Sequence, residues 1–192
     1  MTVPPDTTEV AVLVARALEA AGVEYAVGGS LASSAFGEPR ATRDIDVAIR
    51  LVPDRVAEMI AAFGPDFSID TGALHEAVRT EGILNIFYLP ELTKVDLFVR
   101  GDDVYDREEF SRRVQIEPVP GQSILASSRE DNLLWKLRWY RQGGEISDQQ
   151  WRDVLGLLRI GGDLIDLSYL RTWAAYHDIS DLLDRALQQR AV

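Results

Sequence analysis

Apolar residues first recur at helical spacing. Val10, Leu13, Val14, Ala17, Leu18 and Ala21 fall on one face, and Gly22 ends the run. Asp6-Thr7-Thr8-Glu9 has the form of a capping box, which predicts a helix start there. The period then shortens. Glu24 to Val27 reads as a short strand and Leu31 to Phe36 as a short helix. Ile45, Val47 and Ile49 alternate with other residue types, as on a half-buried strand. Asp54 to Phe63 predicts a second amphipathic helix, with Val56, Met59, Ile60 and Phe63 inward and Gly64-Pro65 as its stop. Paired strands are expected at 83–89 and 94–99, separated by a turn at Pro90. A further strand at 113–119 is assigned to a sheet edge because Pro118 lacks the N–H that a central strand needs.

The pattern changes near residue 125. Ser128-Arg129-Glu130-Asp131 leads into Leu133, Leu134, Leu137 and Tyr140 at helical spacing, and Gly143-Gly144 breaks that run. Ser147 starts the next helix, with Trp151, Val154, Leu155 and Leu158 as its stripe, and two shorter helices follow at 167–177 and 179–190. Mixed helices and short strands followed by helices alone predict an α/β (α+β) chain. The expected division is a domain of residues 1–125 built on a mixed sheet flanked by helices, with a helical region, 126–192, packed on it. No Ser- or Pro-rich linker separates the two, and no repeat is visible.

A length of 192 residues suffices for a substantial core, and 46% hydrophobic with 27% charged residues is the balance of a soluble globular protein. No apolar run is long enough to span a membrane, and the first residues carry neither a basic region nor a signal-type apolar core, so a cytoplasmic location is expected. The absence of cysteine excludes disulfides, thiolate zinc sites and cysteine nucleophiles. His75 and His177 are isolated, so no histidine metal site is expected. A net charge of −11 argues against an extended nucleic-acid surface, which draws on clustered Lys and Arg.

Two short motifs carry the candidate chemistry. Gly28-Gly29-Ser30 closes one apolar segment, and Asp44-Ile45-Asp46 opens the next. Glycines at a strand-to-helix turn let a phosphate approach the backbone, and Ser30 stands at the expected helix N-cap, where a hydroxyl can bond a phosphate oxygen. Side chains two apart on a strand share a face, so Asp44 and Asp46 project together. Adjacent carboxylates repel. A divalent cation relieves that repulsion, and Mg²⁺ favours carboxylates together with substrate phosphates.

With these motifs the chain resembles the nucleotidyltransferase superfamily of polymerase-β-like fold, whose signature is a Gly-Ser turn, Asp-x-Asp on the next strand and a third carboxylate on a later one. Lys94-Val95-Asp96-Leu97-Phe98-Val99 offers that third position at Asp96. The resemblance implies transfer of a nucleoside monophosphate from an NTP to a hydroxyl acceptor. Asp44, Asp46 and Asp96 would be its catalytic carboxylates and would bind two Mg²⁺ ions, with Mn²⁺ as the alternative. Gly28, Gly29, Ser30, Arg40 and Lys136 are the expected nucleotide contacts, with Thr42 and Asp153 in support. Lys136 and Asp153, on successive helices after the catalytic domain, are similar in layout to the AbiEii-type toxin nucleotidyltransferases, which implies an RNA, tRNA or protein acceptor and a cognate antitoxin. The acidic balance keeps a small-molecule acceptor open. Asp153 either holds Lys136 in place, if its side of the helix faces the sheet domain, or is solvent-exposed charge. Trp135, Trp139, Trp151 and Trp173 fall at helical positions and read as packing. The alternative function is a nucleotide-binding pseudoenzyme or interaction module.

Overall fold

The computed structural model describes residues 5–37 and 42–190. The elements run α1 (Thr7–Ala20), β1 (Glu24–Val27), α2 (Gly29–Phe36), β2 (Asp44–Arg50), α3 (Val56–Phe63), β3 (Phe67–Ser68), α4 (Thr71–Thr80), β4 (Ile83–Tyr88), β5 (Thr93–Val99), α5 (Val104–Ser111), β6 (Val114–Val119), β7 (Gln122–Ala126), α6 (Arg129–Gln142), α7 (Asp148–Gly161), α8 (Leu167–Tyr176) and α9 (Ser180–Arg190). The strands form one mixed sheet in the order β3-β4-β5-β2-β1-β7-β6. Three strands meet at its centre: β1 runs antiparallel to β2, and β2 runs parallel to β5.

Strand alternation sorts the sheet into two faces. Val27, Ile45, Val47, Ile49, Val95, Leu97 and Val99 are buried on one, in a core completed by Val10, Val14 and Leu18 of α1, Met59 of α3 and Leu74 of α4. The other face carries Asp46, Ala48, Asp96 and Phe98 and meets the C-terminal helices. Those helices have their own core of Leu133, Leu134, Leu137, Val154, Leu157, Leu158, Leu170 and Leu183. Phe36, at the end of α2, packs against both cores.

The helix starts follow local chemistry. Asp6 and Glu9 form the reciprocal capping box of α1, and Ser128 and Ser147 accept hydrogen bonds from Asp131 N–H and Gln150 N–H to cap α6 and α7. Ser30 is a correction. It sits in the first turn of α2, and Gly28 is the N-cap, because the Gly28 carbonyl already accepts from Ala32 N–H as the chain leaves the sheet. β3, α4, α5 and β7 were not expected from the sequence. β6 lies at the sheet edge, as Pro118 requires. No helix among the described residues is long and apolar enough to cross a membrane.

Candidate active site

The register between β2 and β5 sets the centre of the site. Asp46 lies directly opposite Asp96, and Asp44 lies opposite Lys94. All four positions share the face that is turned toward the C-terminal helices. Asp96 is held from both sides: Asn85 Nδ2 donates to Oδ1, and Lys94 Nζ lies 2.8 Å from Oδ2. Burial, and then the charge of Asp96, pushes the Asp46 carboxyl above its usual range, while Lys136 and Lys94 oppose that shift. The Asp96 carboxylate in turn holds the Lys94 ammonium above its usual range.

The Gly-Gly-Ser turn closes over this pair. Gly28 N–H donates to the Asp46 carbonyl at 2.8 Å, which ties the start of α2 to β2. Gly29 has φ +56°, and a Cβ there would overlap the Asp46 carboxylate. Glycine at this position thus meets both a left-handed backbone and a close approach to the Asp46 side chain.

A cleft of about 500 Å³ opens here. Gly28, Gly29, Ser30, Asp46, Asp96 and Lys136 all line it. Lys136 reaches it from α6 and is only 4% exposed. Its Nζ lies 2.7 Å from Asp153 Oδ2, and Gln149 Nε2 donates to Asp153 Oδ1 at 2.9 Å. Asp153 is therefore a part-buried partner, and its solvent-exposed reading is corrected. The side of α7 that carries it packs against α6, a fact that the stripe of α7 alone does not contain.

Other expected residues lie outside the cleft lining. Asp44 is exposed at the start of β2, two residues before Asp46. Thr42 Oγ1 donates to the Asp44 carbonyl at 3.0 Å, a backbone tie at the entry to the strand. Arg40 lies outside the described residues. Among the described residues, no three acidic or histidine side chains form one metal-sized cluster.

The cleft also contains residues that sequence reasoning missed. Ser127, Asn132, Glu109, Arg100 and Asn85 line it. Trp135 and Trp139, read as packing, form part of its wall, and the Trp139 ring centroid lies 5.7 Å from that of Phe98. Asn132 has a legible signal, since it precedes Lys136 by four residues and so shares its helix face. Glu109 has none. It reads as one more charge in an acidic run, yet it is fully buried, accepting from Trp135 Nε1 at 2.9 Å and Ser127 Oγ at 3.2 Å. Burial raises its carboxyl to about 7.

Comparison with solved structures places this architecture. An antigenic nucleotidyltransferase-like protein from Paracoccidioides brasiliensis is similar over 94% of this chain and 91% of its own, with TM-score 0.58 and 21% identity. The antibiotic-resistance factor ANT(2'')-Ia is similar over 96% of this chain and all of its own, with TM-score 0.54 and 14% identity. At these identities the likeness is one of fold: the chain has the fold of nucleotidyltransferase-like proteins. No protein-family model matches the chain, and no curated protein matches it in sequence.

Proposed function

We propose that the protein is a nucleotidyltransferase that moves a nucleoside monophosphate from an NTP to a hydroxyl acceptor. The observation that carries this reading is Asp46 facing Asp96 across β2 and β5, beneath the Gly-Gly-Ser turn and in one cleft with Lys136. Ser30 and the ammonium of Lys136 are placed to hold the triphosphate, the latter as a compact positive charge. In the transfer, the acceptor oxygen bonds to the α-phosphorus as the bond to pyrophosphate breaks. The cleft contributes by fixing both partners in line and by neutralising the leaving group.

The donor set fits a divalent cation. Asp46 and Asp96 supply hard oxygen ligands, and burial, then repulsion by the Asp96 charge, raises the Asp46 carboxyl; a cation would relieve that repulsion. Lys94 stands in for part of the cation's charge at Asp96. Asp46 and Asp96, the two carboxylates that line the cleft, are the residues that would hold Mg²⁺ or Mn²⁺, which would polarise the phosphates and the acceptor hydroxyl.

The part-buried Lys136–Asp153 pair supports the AbiEii-type layout, and with it an RNA or protein acceptor. The likeness in fold to an antibiotic-resistance factor supports a small-molecule acceptor instead. Incubation with each labelled NTP, Mg²⁺ and either total RNA or cell lysate distinguishes these. The test of the core reading is calorimetry of Mg-ATP and Mg-CTP with wild type and Asp46→Asn. Wild type should bind, and the variant should lose that binding while remaining folded. Unchanged affinity in the variant would remove the site, and nucleotide binding without transfer to any acceptor would leave a pseudoenzyme.

A further inference from the structure

The cleft extends beyond the carboxylates. Two residues further along the strands, on the same face, come Ala48 and Phe98, with Arg100 two beyond. Ala26 is the register partner of Ala48. These two methyl side chains leave room above the sheet, and Trp135 and Trp139 of α6 wall the space opposite. Arg100 and Arg138 already cover the two faces of Trp135, so Trp139 and Phe98 are the rings against which a planar ligand can stack, as every nucleobase does.

Its polar groups are incompletely paired. Glu109 is fully buried and Asn132 is 1% exposed. Among the described residues, Glu109 Oε2 and Asn132 Oδ1 accept no hydrogen bond, and Arg100 Nε donates none. Asn132 Nδ2 is committed to Ser33 Oγ at 2.9 Å, and that hydroxyl donates to the Gly29 carbonyl at 2.8 Å, so the amide orientation is fixed with Oδ1 left over. Arg100 Nε lies 3.9 Å from Glu109 Oε2, too far for a hydrogen bond. Buried polar atoms are ordinarily paired, so two acceptors and a donor left unmatched along a cleft wall indicate a ligand with the complementary pattern.

Charge decides the kind of ligand. The guanidinium groups of Arg100 and Arg138 both stack on Trp135, at 3.7 and 3.9 Å. A cationic amine entering beside Glu109 would meet both of them. A neutral donor would enter without charge repulsion from them. We infer that this chamber reads the nucleobase of the NTP and selects a base that presents an amino group beside a ring-nitrogen acceptor, as adenine and cytosine do. The inference rests on the nucleotidyltransferase reading and names its nucleotide. The amino group carries two hydrogens for the two unpaired oxygens, and the ring nitrogen accepts from Arg100. Uracil and hypoxanthine place a carbonyl where the amino group would be, and so turn an acceptor toward acceptors. Sites built to hydrogen-bond a group reject analogues that lack it far more strongly than apolar pockets reject a missing methylene.

The test is calorimetry at about pH 8, above the value of about 7 to which burial raises the Glu109 carboxyl, so that both of its oxygens accept. The matched pairs are Mg-CTP against Mg-UTP and Mg-ATP against Mg-ITP, each exchanging an amino group for a carbonyl and the ring-nitrogen acceptor for a ring N–H. Wild type should bind CTP and ATP at least about tenfold more tightly than their partners. Glu109→Gln replaces one carboxylate oxygen with an amide donor and should bring both ratios toward one. Asn132→Ala provides a second route should the first variant fold poorly, and circular dichroism checks both. Equal binding of all four nucleotides by wild type would overturn base selection and leave the nucleotidyltransferase reading standing. Undiminished ratios in the folded variants would also overturn it. Binding of none of the four would overturn both readings.

Discussion

Gly29 and Gly28 are neighbours with different constraints. Gly29 combines φ +56° with the overlap of any Cβ on Asp46, whereas the space beside Gly28 begins 3.9 Å away, at Ser127 Oγ. Gly29→Ala should therefore destabilise the fold by about 1–3 kcal/mol through backbone strain and displace the Asp46 carboxylate. Gly28→Ala should cost less than about 1 kcal/mol. Urea unfolding of the two variants measures the contrast, and equal losses would contradict it. Glu109 supplies a pH dependence. Its carboxyl lies near 7 in the fold against 4.5 as reference, so the folded state prefers the protonated form. Its penalty is fully present above pH 7, shrinks as pH falls through the folded value, and vanishes below the unfolded one. Glu109→Gln should accordingly gain on the order of 2–3 kcal/mol over wild type at pH 8 and lose that advantage toward pH 4. A stability difference independent of pH would show that the carboxyl does not titrate this way. The Gly-Gly-Ser turn was legible at this scale because its glycines sit next to one another in sequence. Glu109 was not, since it is buried by Ser127 and Trp135, which lie 18 and 26 residues away.

Between elements, a part-buried ion pair joins α6 to α7. Lys136 and Asp153 expose 5% and 9% of their side chains, so removing one leaves the other charge buried without its counterion. Lys136→Met should destabilise by about 3–5 kcal/mol, and the double variant Lys136→Met/Asp153→Asn by clearly less than Lys136→Met and Asp153→Asn added. Simple additivity in that double-mutant cycle would mean that the pair is not coupled. Elements with a strong period or a cap were read correctly from sequence. These include α1 with its Asp6–Glu9 box, and β2 and β5 with their alternation. The missed elements bury too little of themselves to show a period: α4 buries only Leu74 and Ala77, and α5 only Tyr105, Glu109 and Phe110. β7 is joined to β1 by a parallel pairing at Val27 and Ala126, about a hundred residues apart, which no local pattern reports.

At the scale of the whole molecule, the two larger cores meet at Phe36, and the cleft has one wall from the sheet and one from the C-terminal helices. The sheet half and helical half should unfold together. All four tryptophans lie beyond residue 125, so their fluorescence follows the helical half, whereas far-ultraviolet circular dichroism follows both. Coincident urea midpoints are expected, and separated midpoints would mean two independent units. The sequence determined what depends on near neighbours: helix caps, strand alternation, and hence that Asp44 and Asp46 share a face. It also determined the mixed α/β character followed by helices, because hydrophobic period is a local property. Only the tertiary structure decided which residues face one another across long separations. It set Asp46 against Asp96 rather than Asp44, placed Asp153 against Lys136, and brought Glu109, Asn132 and Trp135 to one chamber. These outcomes rest on strand register and helix packing, which arise from contacts between distant segments, and no window of sequence contains them.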